Sequence, residues 1–398
     1  MADNNKHTGP NVPALRFPEF SGEWIESKLG DIADFSKGAG ISKDQRSEEG
    51  NPCILYGELY TRYKSEVITN VFSKTALPDS DLVKSKANDI IIPASGETAE
   101  DIATARCVPF DNILLGGDLN IIRLHEQDGK FFSYQLNGVR KYDIATVAQG
   151  VSVVHLHAGD LKGITVKYPS HIAEQEKISQ ILGLIDDRIA TQSKIIEELT
   201  ALRSALLEKV FQVSNPTLEV GAIAHQTSER NKLCRYSNVL SVSNRFGFIN
   251  QSEQFEDRNV ASDDVRNYKV VHRGDFAYNP ARINVGSIAM LKSFESGIVS
   301  PMYICFQVDD TIVDPSFFEL FLETKAFKDE MEIRLEGSVR RCLSFEALCE
   351  IHLPLPALLV QRSISNKIGN ISAKIKLEDR ILRAYIRQKE WLLKQMFI

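Results

Sequence analysis

The sequence predicts an α+β chain built as a tandem repeat, two globular units joined by two long antiparallel helices that pair within the chain. Three observations carry this. Residues 169–212 place apolar side chains at Ile178, Leu182, Ile185, Ile189, Ile196, Leu199, Leu206 and Val210. Steps of four and three mark a heptad seam on a helix that needs a partner helix, and Gln192 and Arg203 fill the two remaining seam places. The pattern recurs at Ile364, Ile368, Ile371, Ile375, Leu382, Tyr385, Leu392 and Met396, offset by 186, with Glu378 and Lys389 as its polar interruptions. Finally, Gly150, Leu156, Leu161, Ile164 and Pro169 match Gly337, Leu343, Leu348, Ile351 and Pro356 at an offset of 187.

Taken in order, residues 1–22 read as a polar arm whose PALRFPEF packs in extended form. Residues 23–170 form a first globular unit of short mixed elements. Within it KLGDIADF reads as a strand or short helix start, NPCILYGEL and ANDIIIPAS as strands, and NILLGGDLNIIRL as two strands about a Gly-Gly turn. FFSYQLNGVRKYDIATVA has helical length and spacing, and GDLKGITVKYP closes the unit with a strand. Helix 171–212 follows, broken by Asn-Pro after Gln212. A second unit covers 213–357, in which VGAIA (220–224) stands for LGDIA (29–33) and GDFAY (274–278) for NDIII (88–92). Helix 358–398 ends the chain. Residues 172–212 carry five Lys/Arg against seven Asp/Glu, and residues 358–398 carry nine against three. Opposite net charge beside an apolar seam selects this pairing over self-pairing.

At 398 residues the chain exceeds one ordinary core, so two to three domains are expected. Apolar content of 43% and charged content of 25% are those of a folded globular protein. No run of 18 apolar residues predicts a membrane span, and the polar N-terminus lacks a secretory core segment. The six cysteines form no CxxC and no His/Cys ligand spacing. Reduced thiols in a cytoplasmic protein are expected, with no metal site.

Motifs for catalysis are missing. No GxxxxGK[ST] or HExxH occurs, and Lys37-Gly38-Ala39-Gly40 reads as a loop rather than a phosphate cradle. Asn279-Pro280-Ala281-Arg282 is similar to the Asn-Pro-Pro-aromatic motif of adenine-N6 methyltransferases, but lacks the second proline and the aromatic residue. It reads as a turn after a strand that presents Arg282 outward. His155 and His157 alternate on one segment with no third ligand nearby and read as structural. The chain is expected to be no enzyme by itself and to hold no cofactor.

In this order and duplication, the closing runs with Gln175 and Gln361 behind them, and the segments ILYGELYTRY (54–63), PASGETAEDIATA (93–105), AQGVSVVHL (148–156) and YNPARINVGSIA (278–289), resemble the specificity subunit of type I restriction–modification systems. The resemblance covers nearly the whole chain. It implies two target-recognition domains, each reading one half of a bipartite double-stranded DNA sequence, with the helices setting the unread gap. It also implies docking of two modification subunits that bind S-adenosylmethionine and methylate adenine N6. Restriction subunits that use ATP and magnesium would join that core. An adapter displaying two protein-binding domains on a coiled-coil spacer is the alternative reading.

The two helices hold 14 of the 47 Lys/Arg and 10 of the 53 Asp/Glu, so the globular parts carry a net charge of −10. A uniformly basic DNA-binding face is thereby excluded, and local patches with the partner subunits must supply positive potential. Candidate readers are polar or basic residues beside Gly or Pro on loops that follow strands, where the backbone can approach a groove. In the first unit these are Thr61, Arg62, Tyr63 and Lys64, with Ser95, Thr98, Gln149 and Ser152. In the second they are Ser243, Asn244 and Arg245, with Asn279, Arg282, Ser338, Arg340 and Arg341.

Overall fold

A computed structural model describes residues 11–78, 80–150, 153–212, 216–251, 264–337 and 341–398. The chain divides into two compact units, Met1–Lys194 with Asp379–Ile398, and Ile195–Glu378. The first long helix spans Ile172–Gln212 and the second Leu358–Met396.

In the first unit an antiparallel sheet runs in the order Ala33–Lys37, Leu119–Leu124, Asp89–Pro93, Arg106–Val108. The apolar run at Ile90, Ile91 and Ile92 is wholly buried, as a central strand covered on both faces requires. One face takes the helix Gly129–Asn137, whose Phe131, Phe132, Tyr134 and Leu136 are buried. The predicted longer helix is broken here. Gly138 caps this helix, and a second helix starts at Lys141 and ends at Val147. A side chain at Gly138 would press on the Tyr134 carbonyl at 3.0 Å, so the turn tightens where a helix would otherwise continue. A ribbon of Ile25–Lys28 with Thr165–Tyr168 closes the unit.

The second unit repeats this frame. Its sheet runs Ala224–Thr227, Ile304–Val308, Phe276–Tyr278, Ile288–Met290. The helix Pro315–Glu323 lies where Gly129–Asn137 lies in the first unit, and Thr217–Glu219 pairs with His352–Pro354 in the closing ribbon. The expected counterparts therefore hold equivalent places: 29–33 and 220–224 both lead into an edge strand, and 88–92 and 274–278 both lead into a central one. The additional sheets differ. The first unit has three short strands, Ser73–Thr75, Asn51–Ile54 and Leu114–Leu115; the second has four, Gly247–Asn250, Val239–Ser243, Ser296–Val299 and Lys269–His272.

The frame is latched to its helix in the same way twice. Asp128 caps Gly129–Asn137 by accepting from the Lys130 and Phe131 amides, while its own amide donates to Gln175 Oε1 at 3.0 Å. Gln175 Nε2 donates to the Pro169 carbonyl at 2.9 Å, and Ser179 Oγ donates to Asp128 at 2.6 Å. In the second unit Asp314 caps by accepting from the Phe317 amide, its own amide donates to Gln361 Oε1 at 2.8 Å, Gln361 Nε2 donates to the Pro356 carbonyl at 2.8 Å, and Ser365 Oγ donates to Asp314 at 2.7 Å.

Every seam position from Ile178 to Val210 is at least half-buried, and Gln192 is buried outright. The polar interruptions have partners. Arg203 donates to Ser372 Oγ at 2.7 Å and to both Glu323 oxygens, and Lys389 reaches Asp186 at 2.6 Å and Glu66. Glu378 is buried and pairs with Lys374. Each unit core is completed by the end of the other copy's helix. Leu392, Met396 and Phe397 enter the first core, with the Phe397 ring 5.0 Å from Phe131 and 6.4 Å from Trp24. Leu207 and Phe211 enter the second, with Phe211 4.8 Å from Phe317 and 5.6 Å from Phe321. The N-terminal arm packs on the first unit, where Arg16 forks onto the buried Glu174 at 2.7 and 2.8 Å and the Leu15 amide donates to the Gln395 carbonyl at 2.8 Å.

Candidate nucleic-acid interface

Both units bring the same two loops together. In the first, the Leu156 amide donates to the Ala94 carbonyl at 2.9 Å; in the second, the Leu343 amide donates to the Pro280 carbonyl at 3.2 Å. Each contact joins the loop leaving the central strand to a glycine-led hairpin. The hairpins are held by reciprocal backbone bonds, Gln149 with His155 and Glu336 with Cys342. Gly150 (φ +127°) and Gly337 (φ +109°) open them. A Cβ on Gly150 would lie 2.1 Å from the Val153 carbonyl oxygen, so only glycine fits. Leu156, Leu161, Ile164 and their counterparts Leu343, Leu348 and Ile351 anchor the far side in the core.

In the first unit, the strand Ser95–Gly96 pairs with Val154–His155, which sets the Ser95–Thr98 loop beside the hairpin that carries Gln149. Ser95 is buried; Thr98 and Gln149 are exposed. Thr98 caps the short helix Ala99–Ile102 and donates to Asp101 at 2.7 Å. Ser152 lies outside the described residues. The short helix Glu58–Thr61 lies against the same loop, because a Cβ on Gly96 would come 3.9 Å from the Tyr60 hydroxyl. Thr61 and Lys64 are exposed. Arg62 pairs with the buried Glu58 at 3.1 Å and stacks 4.7 Å over Phe72. Tyr63 is buried against Phe72, and burial pushes its phenol up to about 12. Tyr60, half-buried at the junction of the two loops, belongs to this edge and was not among the sequence candidates. His155 and His157 stack in parallel at 6.3 Å on the hairpin's exposed face.

In the second unit Asn279 and Arg282 follow the central strand. The Asn279 Oδ1 accepts from the Ala281 amide at 3.1 Å, and the Arg282 amide donates to the Asn279 carbonyl at 2.9 Å, so the turn folds on itself and leaves Arg282 exposed. Both residues line a cavity of about 260 Å³ with Ser241, Ser287, Met302 and Tyr303. Met302, 62% exposed and in contact with Asn279 Nδ2, is an apolar neighbour that the sequence candidates omitted. Ser243 accepts from the Arg245 and Phe246 amides to shape the hairpin tip; Asn244 and Arg245 are exposed there, with Arg245 over the Phe246 ring. A Cβ on Gly286 would touch Asn244 at 3.4 Å, which brings this tip to the Arg282 turn. Arg341 pairs with Glu332 and donates to its carbonyl at 2.8 Å. Ser338 and Arg340 lie outside the described residues. Thus in each unit most candidates gather along one edge, although the side chains on the two edges differ.

Among the described residues no His/Cys/Asp/Glu cluster could hold a metal ion, and no helix is long and apolar enough to cross a membrane. The arrangement offers exposed hydrogen-bonding and cationic side chains on paired loops, suited to contact with base edges and phosphates.

The fold and its loop edges are built twice in one chain, and known proteins share this duplication. Residues 21–201 match the family model of the type I restriction modification DNA specificity domain. The chain is 23% identical over 401 residues to the type I restriction enzyme MjaVIII specificity subunit of Methanocaldococcus jannaschii, covering 92% of this chain and 89% of that one. The crystal structure of the type I restriction–modification S subunit from M. genitalium superposes with a TM-score of 0.64 at 18% identity, over 97% of this chain and 99% of that one. A chain from a study of complex assembly and conformational transition of the type I R-M system gives 0.53 at 13% identity, over 94% and 97%. Residues 21–201 therefore resemble that specificity domain, and the whole chain has the fold of a solved type I S subunit. The resemblance read from the sequence points to the same proteins as these matches.

Proposed function

We propose that this chain reads a bipartite double-stranded DNA sequence, one half-site per globular unit, with the unread gap set by the long helices. It docks two modification subunits, which supply S-adenosylmethionine and methylate adenine N6, and restriction subunits that use ATP. Its own task is recognition rather than chemistry. The observation that carries the reading is the loop edge built twice on one frame with different side chains: two sequence readers on one scaffold need this arrangement.

The test is to co-express the chain with its modification subunits and map adenine-N6 methylation on DNA. Two short motifs at a fixed gap are expected. Arg282→Ala should weaken cognate methylation about tenfold through one half-site, the scale of one lost base or phosphate contact, while the subunits remain assembled. Methylation scattered without a motif would rule the reading out.

A further inference from the structure

In the first unit the segment that carries Thr61–Lys64 is tied to the second long helix through buried charge. Arg106, on the edge strand and 8% exposed, donates from Nε to the Leu59 carbonyl at 3.1 Å and from Nη2 to the Tyr63 carbonyl at 2.9 Å. It thus holds carbonyls at the end of a short helix, which otherwise lack donors. Glu58, also buried, accepts from the Leu55 amide, Ser73 Oγ and Arg62. Three residues beyond Tyr63, the Glu66 carbonyl accepts from the Cys107 amide at 2.8 Å, next to Arg106. The buried Glu66 carboxylate pairs with Lys389, whose ammonium also meets Asp186 at 2.6 Å, and the Tyr134 hydroxyl donates to Asp186 at 2.7 Å. Arg106, Lys389, Glu66 and Asp186 are withdrawn from water together. Such a network gains little over apolar packing in stability, and its best-attested use is to fix register.

The second unit shows what the first has added. There Arg203 stands for Lys389 and Ser372 for Asp186, at the repeat offset of 186, and these two also meet. The carboxylate that Arg203 holds is Glu323, half-exposed at the end of the framework helix Pro315–Glu323. The seam cation of the second unit grips the frame, whereas that of the first grips the segment leading out of its candidate reading helix.

We infer that Arg106, Glu66 and Lys389 are positioning residues for the Thr61–Lys64 segment, coupling half-site reading by the first unit to the second long helix; this rests on the DNA-reading function proposed above. The test uses the full chain assembled with its modification subunits and measures methylation of cognate DNA against DNA altered in one half-site or the other. Glu66→Gln and Lys389→Gln should each lower discrimination at least tenfold at the half-site that Arg282→Ala leaves alone, and leave the other half-site within twofold. Lys389→Arg should restore most of the loss, and Arg203→Gln should move neither ratio beyond twofold. Should a single variant fail to fold, the double variant Glu66→Gln/Lys389→Gln leaves Arg106 and Asp186 in balance and reads the same ratio. Equal loss at both half-sites, or none at either in folded protein, overturns the coupling. A wild-type complex with no preference for cognate DNA overturns DNA reading itself, and the coupling with it.

Discussion

Gln175 and Gln361 each join three parts of a unit: the capping aspartate of the framework helix, the proline that ends the closing strand, and the long helix itself. Gln361 is fully buried, and replacing it by Leu keeps the bulk but leaves the part-buried Asp314 amide and Pro356 carbonyl without its bonds. That should cost about 2–4 kcal/mol, read as a lower denaturation midpoint of the full chain. The sequence displayed these glutamines through their repeated spacing but not their partners, because Asp128 and Asp314 lie 47 residues away on another element. The loop edges show the same limit. Gly150 and Gly337 were legible, since a repeated glycine before a repeated leucine marks a turn. The burial of Tyr63 and Ser95 was not, since neighbours distant in sequence decide which side of a loop faces solvent; an ion pair for Arg341 was open from nearby Glu336 and Glu346, but its partner is Glu332. Arg106 carried no signal at all, a basic residue in an apolar run that gains its role from two carbonyls across the fold. The thiols offer a separate check. Burial pushes Cys53 up to about 11 and Cys107 and Cys305 to about 12, whereas Cys234 is exposed. At pH 8 the thiolate fraction of the first three is negligible, so iodoacetamide should label Cys234 in native protein and spare them until denaturant is added. Rapid native labelling of Cys305 would contradict the core described for the second unit.

At the scale of elements, the long helices were the most legible part, because a seam repeated at constant offset specifies its own pairing. What the pattern left open was why four seam places are polar. Arg203 and Lys389 turn out to anchor globular segments, and their helix partners, Ser372 and Asp186, are themselves 186 apart. Between the Asp186–Lys389 pair and the Arg203–Ser372 pair, one helix advances 17 residues while the other retreats 17. Four residues inserted after Gln192 alone add about 6 Å to one helix, so one pair must break, and cognate methylation should fall at least tenfold. A matching insertion after Glu378 should restore it and lengthen the unread gap by about two base pairs, at roughly 3.4 Å per base pair. Restored methylation with an unchanged gap would show that the helices do not set the spacing. Gln192→Leu, by contrast, keeps the length of the helix and should leave the gap as it is.

For the whole molecule, boundaries drawn from the seam pattern at residues 171 and 358 separate the helices from the globular parts, while the compact units each take in the end of the other copy's helix. Periodicity cannot reveal this, since it states that a face is buried and not against what. Phe397, 3% exposed between Trp24 and Phe131, is the clearest test. Phe397→Ala should cost about 3–5 kcal/mol, and the loss should fall on the first unit alone. Protease digestion at rising temperature should then release fragments from residues 23–170 before any from 216–357. A uniform loss across both units would mean that the cores are not independent.

The exchange of helix ends has a consequence for how such a protein can evolve. Phe211 and Phe397 are counterparts, and each fills the core of the other copy, so one copy by itself lacks its own plug. Two identical copies would supply each other's, as in a two-fold symmetric dimer. Such a dimer would present the same loops twice and, on the function proposed above, be confined to DNA that reads the same on both strands. Joining the copies in one chain lifts that confinement. The loops differ between the two copies while the glutamine, the capping aspartate and the terminal phenylalanine hold equivalent places in both. All three keep the repeat offset of 186, and on the function proposed above a sequence with two unrelated halves would become readable by a single chain.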